Sequence, residues 1–109
     1  VQNLGNVAAF VAALHQADLA LFARSISDAL VEPVRAPLVP GYATVKKAAL
    51  DAGALGCSIS GSGPSVVAFV DSDALADDVA TAVEDAFARH SLTTDRYVGP
   101  VNRVGAQVV

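Results

Sequence analysis

Methionine and tryptophan are absent from this sequence, and only one cysteine, Cys57, is present. A lone cysteine excludes an intrachain disulfide and fits a reducing compartment such as the cytoplasm. Aromatic residues make up 6% of the chain, so a core has to be assembled mainly from alanine and valine. Such side chains each bury little area, which predicts modest stability. Positive charge is also scarce: seven Lys and Arg stand against eleven Asp and Glu, for a net charge of −4. The basic residues are scattered, with Lys46-Lys47 the only adjacent pair. That excludes nucleic acid and an anionic membrane surface as natural partners, and it requires any anionic ligand to be held by local groups. No apolar run approaches the ~20 residues of a membrane span. No basic stretch leads into an apolar one, as a secretion signal would require. Val1 in place of an initiator Met reads as a truncated, processed or incomplete chain.

What is present describes one ordered domain. The length of 109 residues, 53% hydrophobic and 17% charged, excludes a disordered chain. Val7, Phe10, Val11 and Leu14 recur at helical spacing, which predicts an amphipathic helix from Asn3 to about His15. After a break at Gln16-Ala17-Asp18, a second helix is expected to run to about Leu30, with Leu19, Phe22, Ile26 and Leu30 on one side. Pro33, Pro37 and Pro40 predict a stiff, extended segment from Val31 to Pro40. Gly41–Ala52 reads as a helix with Tyr42, Val45 and Ala49 inward, closed by Gly53 as a left-handed cap. Leu55–Ser60 and Val66–Val70 are strand candidates. Residues 73–90 carry the strongest helical pattern, capped by Ser72 or Asp73 and ending at Arg89 and His90. Asp95–Val101 and Gly105–Val109 are expected as two last strands. This order predicts an α+β domain, an antiparallel sheet covered on one face by helices.

Two segments carry chemistry. In Ser60–Ser65, Gly61 and Gly63 permit positive φ and leave backbone N–H groups accessible, while Ser60, Ser62 and Ser65 add hydroxyls. From spacing alone, a tight turn between strands is the favoured reading of such a loop. In the segment Glu32 to Tyr42, the prolines brace Arg35, whose guanidinium can bind a carboxylate two-pronged. An exposed arginine, or one paired with Glu32, is the plainer reading. The other candidates favour structural roles. His15 and His90 sit near helix ends, and Cys57 lies among apolar neighbours. Asp71, Asp73, Asp77 and Asp78 suit a solvated first helical turn, since no calcium-loop pattern follows them. No metal ligands and no catalytic residue are assignable.

The longer string Gly53-Ala54-Leu55-Gly56-Cys57-Ser58-Ile59-Ser60-Gly61-Ser62-Gly63-Pro64-Ser65 closely resembles the third motif of the GHMP kinases. Glu32-Pro33-Val34-Arg35, running on to Leu38-Val39-Pro40-Gly41, looks like a segment of the homoserine kinases within that superfamily. Pro100-Val101-Asn102-Arg103-Val104-Gly105-Ala106-Gln107-Val108-Val109 is similar to their closing turn and strand. The superfamily's phosphate loop, near Pro-x-x-x-Gly-Leu-Gly-Ser-Ser-Ala, has no counterpart here. The resemblance implies a GHMP kinase C-terminal domain with a ferredoxin-like core over residues 1–109, without the N-terminal ATP-binding domain. It implies transfer of the ATP γ-phosphoryl group to the hydroxyl of L-homoserine, for threonine biosynthesis in the cytoplasm. It assigns Arg35 to the substrate carboxylate and Gly61, Ser62, Gly63 and Pro64 to an active-site loop. ATP and Mg²⁺ would be held mainly by the N-terminal part, so this piece alone is expected to be inactive. The expected partners are L-homoserine, ATP, that N-terminal domain and a possible second copy of the chain. Another GHMP kinase, or a non-catalytic binding or dimerisation module of the same fold, remains the alternative.

Overall fold

The computed structural model describes residues 1–109. Helix α1 spans Gln2–Gln16 and leaves through Ala17 in the left-handed region, where the Asp18 amide donates to Ala13 O at 3.0 Å. Asp18 then starts α2, Leu19–Ser25, its carboxylate accepting from the Leu21 amide at 3.0 Å. The second helix therefore ends five residues before Leu30, at Ser25. Asp28 accounts for this: it accepts from Asn3 Nδ2 and from the Leu30, Val31 and Glu32 amides, a turn geometry that a continuing helix could not offer.

The proline segment is helical, which corrects the expectation of an extended arm. Helix α3 occupies Glu32–Arg35, and a 3₁₀ turn follows over Ala36–Leu38. Pro33 and Pro37 each fall in the first turn of their element, where no backbone donor is needed and a fixed φ near −65° already suits a helix. Gly41, at φ +75°, leads into α4, Tyr42–Asp51. Beyond α4 the Gly53 amide donates to Leu50 O and the Ala54 amide to Ala49 O, the paired bonds of a Schellman cap, with Gly53 at φ +111° as expected.

Strands β1, Gly56–Ile59, and β2, Val66–Phe69, form the whole sheet, antiparallel with Gly56 opposite Phe69 and Ile59 opposite Val66. Helix α5, Asp73–Ala88, follows, its first turn capped by the Ser72 hydroxyl. Alternation along the strands puts Cys57, Ile59, Val66 and Ala68 on one face, where α4 and α5 supply Tyr42, Val45, Ala49, Val79, Ala86 and Phe87. On the other face Ile26 lies over Gly56, and the Phe22 ring meets Phe69 edge-on at 5.5 Å and Phe10 at 5.0 Å. Such an edge contact adds about 0.5–1.5 kcal/mol beyond area burial. His90 closes α5: its Nδ1 lies 3.1 Å from Ala86 O, and the imidazole covers Gly41.

Two expectations fail at the ends of the chain. Asp95–Val101 and Gly105–Val109 form no strands. Residues 93–109 make no backbone–backbone hydrogen bond, and the outer edge of β2 is unpaired. An alternating pattern suits a strand but becomes one only against a partner. The tail is instead tied to α5 by Arg96, which bonds Asp77 Oδ1 at 2.8 Å and Glu84 Oε2 at 3.1 Å. On α1 the apolar stripe is divided: Phe10 packs on Phe22 of α2, whereas Val7, Val11 and Leu14 are exposed, and only Ala13 is buried. Twelve of 109 residues are buried, so apolar side chains of α1 and the tail stay at the surface. No helix is long and apolar enough to cross a membrane.

Candidate functional site

The hairpin turn projects from the end of the β1–β2 ladder. The Ser60 amide donates to Ser65 O at 2.8 Å and the Gly63 amide to Ser60 O at 3.1 Å, which folds Gly61 and Ser62 into an exposed tip. Gly61 and Gly63 stand at φ +61° and +80°, and a Cβ at Gly61 would meet nothing within 4 Å. The Gly61 and Ser62 amides donate to no other group of the chain. Two accessible N–H groups on an unobstructed turn suit the oxygens of a phosphate.

Arg35 reaches this turn from the last residue of α3. Its Nη1 donates to Ser62 O at 2.9 Å, 27 residues along the chain. The structure thus brings together the two segments singled out in the sequence. One Nη1 proton is engaged, while Nη2 and Nε remain free to grip a carboxylate side-on. The alternative pairing of Arg35 with Glu32 does not form: Glu32 Oε1 accepts from Lys46 Nζ at 2.6 Å and from the Tyr42 hydroxyl. This Glu32–Tyr42–Lys46 cluster escaped the sequence reading. Its signal was Glu32-Pro33 at a helix start, with Tyr42 and Lys46 one turn apart on the next helix. A cavity of ≈ 580 Å³ lies against the cluster and Asp28; neither Arg35 nor Gly61–Pro64 lines it. The loop and guanidinium instead form an open surface.

Burial and its donation to Glu32 raise the Tyr42 hydroxyl well above its ordinary range. Burial likewise pushes the Cys57 thiol up to about 11, which suits a core side chain and makes it a poor nucleophile. No group of three or more His, Cys, Asp or Glu converges as a metal site. The turn offers no carboxylates, so it does not fit Mg²⁺.

Asp28 shows the opposite shift. The Val31 amide, then Asn3 and the Leu30 amide, bring its carboxyl from the ordinary 3.8 down to about 2. A depressed acid contributes stability above its unfolded pKa and loses it as pH falls through the folded value. An NMR titration should find Asp28 ionising near pH 2. The loss of stability between about pH 4 and 2 should be shallower in Asp28→Asn. An ordinary Asp28 pKa would dismiss this turn as a brace for α3.

Comparison with known proteins follows the same segments. The family model described as "GHMP kinases C terminal" matches residues 10–89. A homoserine kinase of Chlorobium phaeovibrioides is 52% identical over 107 residues, covering 96% of this chain and 33% of that protein. The homoserine kinase of Arabidopsis thaliana is 42% identical over 111 residues, covering 100% of this chain and 30% of that protein. The crystal structure of a homoserine kinase from Cytophaga hutchinsonii superposes with a TM-score of 0.89 at 49% identity, covering 92% of this chain and 32% of that one. The chain spans about a third of the length of the curated relatives it matches.

Proposed function

Since this chain belongs to the family of GHMP kinase C-terminal domains, we propose that it serves a kinase that transfers the ATP γ-phosphoryl group to the hydroxyl of L-homoserine. The product would be O-phospho-L-homoserine, for threonine synthesis in the cytoplasm. The observation that carries the reading is the Arg35–Ser62 hydrogen bond. It sets a guanidinium beside a turn with two free amides, so that carboxylate and phosphate could be gripped at neighbouring points. The relatives named above are homoserine kinases over nearly the whole of this chain.

Phosphoryl transfer depends mainly on positioning and charge neutralisation. In this reading Arg35 orients the substrate through its carboxylate. The Gly61 and Ser62 amides face the phosphate oxygens, and Pro64 with Gly63 holds the turn's shape. ATP supplies the phosphoryl group. Its other contacts and Mg²⁺ fall to the remaining part of the longer protein, the N-terminal ATP-binding domain.

The test is ADP release by the full-length protein with ATP and Mg²⁺, offered L-homoserine, mevalonate or galactose. L-homoserine should be the preferred acceptor. Preference for another alcohol would replace homoserine with that substrate class, and no turnover with any would favour a non-catalytic module. Residues 1–109 alone should be silent. Turnover of roughly 1 s⁻¹ or more would show that the remaining part is dispensable.

A further inference from the structure

We propose that Glu32 is a positioning residue for Arg35, clamping α3 to α4 through Tyr42 and Lys46 so that the guanidinium is held over the glycine turn. The proposal rests on the reading of Arg35 given above. Helix α3 has only four residues, too few to fix its own direction. What holds it comes from outside. Asp28 accepts from the Glu32 amide at 3.2 Å at its start. The Glu32 side chain, 11% exposed, then turns inward, and a single oxygen takes both the Tyr42 hydroxyl and Lys46 Nζ.

Tyr42 is itself part of the core with Val45, Ala86 and Phe87. Glu32 therefore connects a one-turn helix to the packed core of the fold. Arg35 follows three residues later, its amide bonded to Val31 O at 2.9 Å, and only its tip touches the turn, at Ser62 O. A long arginine anchored at the tip alone would lose that contact as its helix swings. An anchored base and an anchored tip leave one geometry. A buried carboxylate also demands its partners, and Tyr42 and Lys46 supply them.

A stability role alone would give a different signature, which steady-state kinetics of the full-length enzyme can read. Glu32→Gln keeps the shape and removes the charge. It should raise KM for homoserine about three- to tenfold, the scale of one weakened charge-assisted contact. KM for ATP and kcat should stay within about twofold. In an Arg35→Ala background the same change should add nothing to the homoserine KM, since residues acting through one another are not additive. Tyr42→Phe should shift the homoserine KM in the same direction by less. It also carries the cycle if Glu32→Gln does not fold. Should Arg35→Ala raise the homoserine KM while folded Glu32→Gln leaves it unchanged, the clamp is purely structural and the proposal fails. Equal effects of Glu32→Gln with and without Arg35 would overturn it too. If Arg35→Ala leaves the homoserine KM normal, the site reading itself fails and takes this proposal with it.

Discussion

Gly63→Val in the full-length enzyme is expected to lower kcat by about a hundredfold in a protein that still folds. Gly63 stands at φ +80°, where a β-branched side chain is strained by about 1–3 kcal/mol. The added Cβ would also press on Ile59 Cγ2 at 3.3 Å and reach Val39 Cγ2 at 3.8 Å. Ile59 ends β1, and Val39 closes the 3₁₀ turn that follows Arg35. The strain is therefore relieved by moving the tip or the neighbouring segment. Displacing a positioned group by about 1 Å costs on the order of 10²-fold in rate. Gly61 gives the control: its φ of +61° is also left-handed, but a Cβ there meets open space. Gly61→Asn should accordingly fold and retain more activity than Gly63→Val. Circular dichroism establishes folding, and steady-state kinetics establish the rest. An unchanged kcat with both KM values unchanged in folded Gly63→Val would reduce the turn to a strand connector.

Arg35→Ala in the full-length enzyme should raise the homoserine KM ten- to a hundredfold, with the ATP KM little altered. On the role proposed for Arg35, the interaction lost would be a charge-assisted pair with the substrate carboxylate, about 1.5–3 kcal/mol. Ala also releases Ser62 O from its only side-chain donor, so a minor loss in kcat accompanies the KM effect. Lysine should recover part of the loss, because an ammonium supplies the charge without the planar fork. A folded Arg35→Ala enzyme with normal homoserine KM removes the assignment. A selective rise in the ATP KM would transfer Arg35 to the nucleotide.

The glycine turn, the hairpin around it and α5 were legible because their signals are local. Gly, Ser and Pro mark the turn, Ser72 marks a cap, and the Val79, Val83, Ala86, Phe87 stripe repeats at helical spacing. The proline segment was misread because proline fixes φ without choosing between an extended chain and a first helical turn. What decided it was Asp28, whose carboxylate gathers three amides from 30–32, and no short-range pattern announces that. The tail shows the converse limit: Tyr97 and Val101 alternate as a strand would, yet pairing is a property of two segments. The stripe on α1 gave the helix correctly, but of its members Phe10 finds a neighbour in Phe22 while Val7, Val11 and Leu14 stay exposed, since periodicity does not say how much of a face is covered. For the candidate site, the sequence held both segments. The bond between Arg35 and Ser62 and the Glu32–Tyr42–Lys46 cluster are products of folding alone.

His90 over Gly41 makes the route of sequence change depend on the order of steps. Gly41 carries two separate restrictions: a φ of +75° and an imidazole whose Cε1 and Cγ would lie 2.6 Å from any Cβ placed there. The first admits asparagine at a modest penalty; the second admits nothing while the ring stays. Asparagine at 41 introduced first collides with the helix-closing ring, and exposed His90 has to swing off Ala86 O to make room. With His90 first exchanged for a small residue, the α5 terminus loses a side-chain partner at Ala86 O and space opens above position 41. The same two substitutions thus pass through a displaced ring in one order and a vacated helix end in the other, so drift at 41 is coupled to a residue 49 positions away.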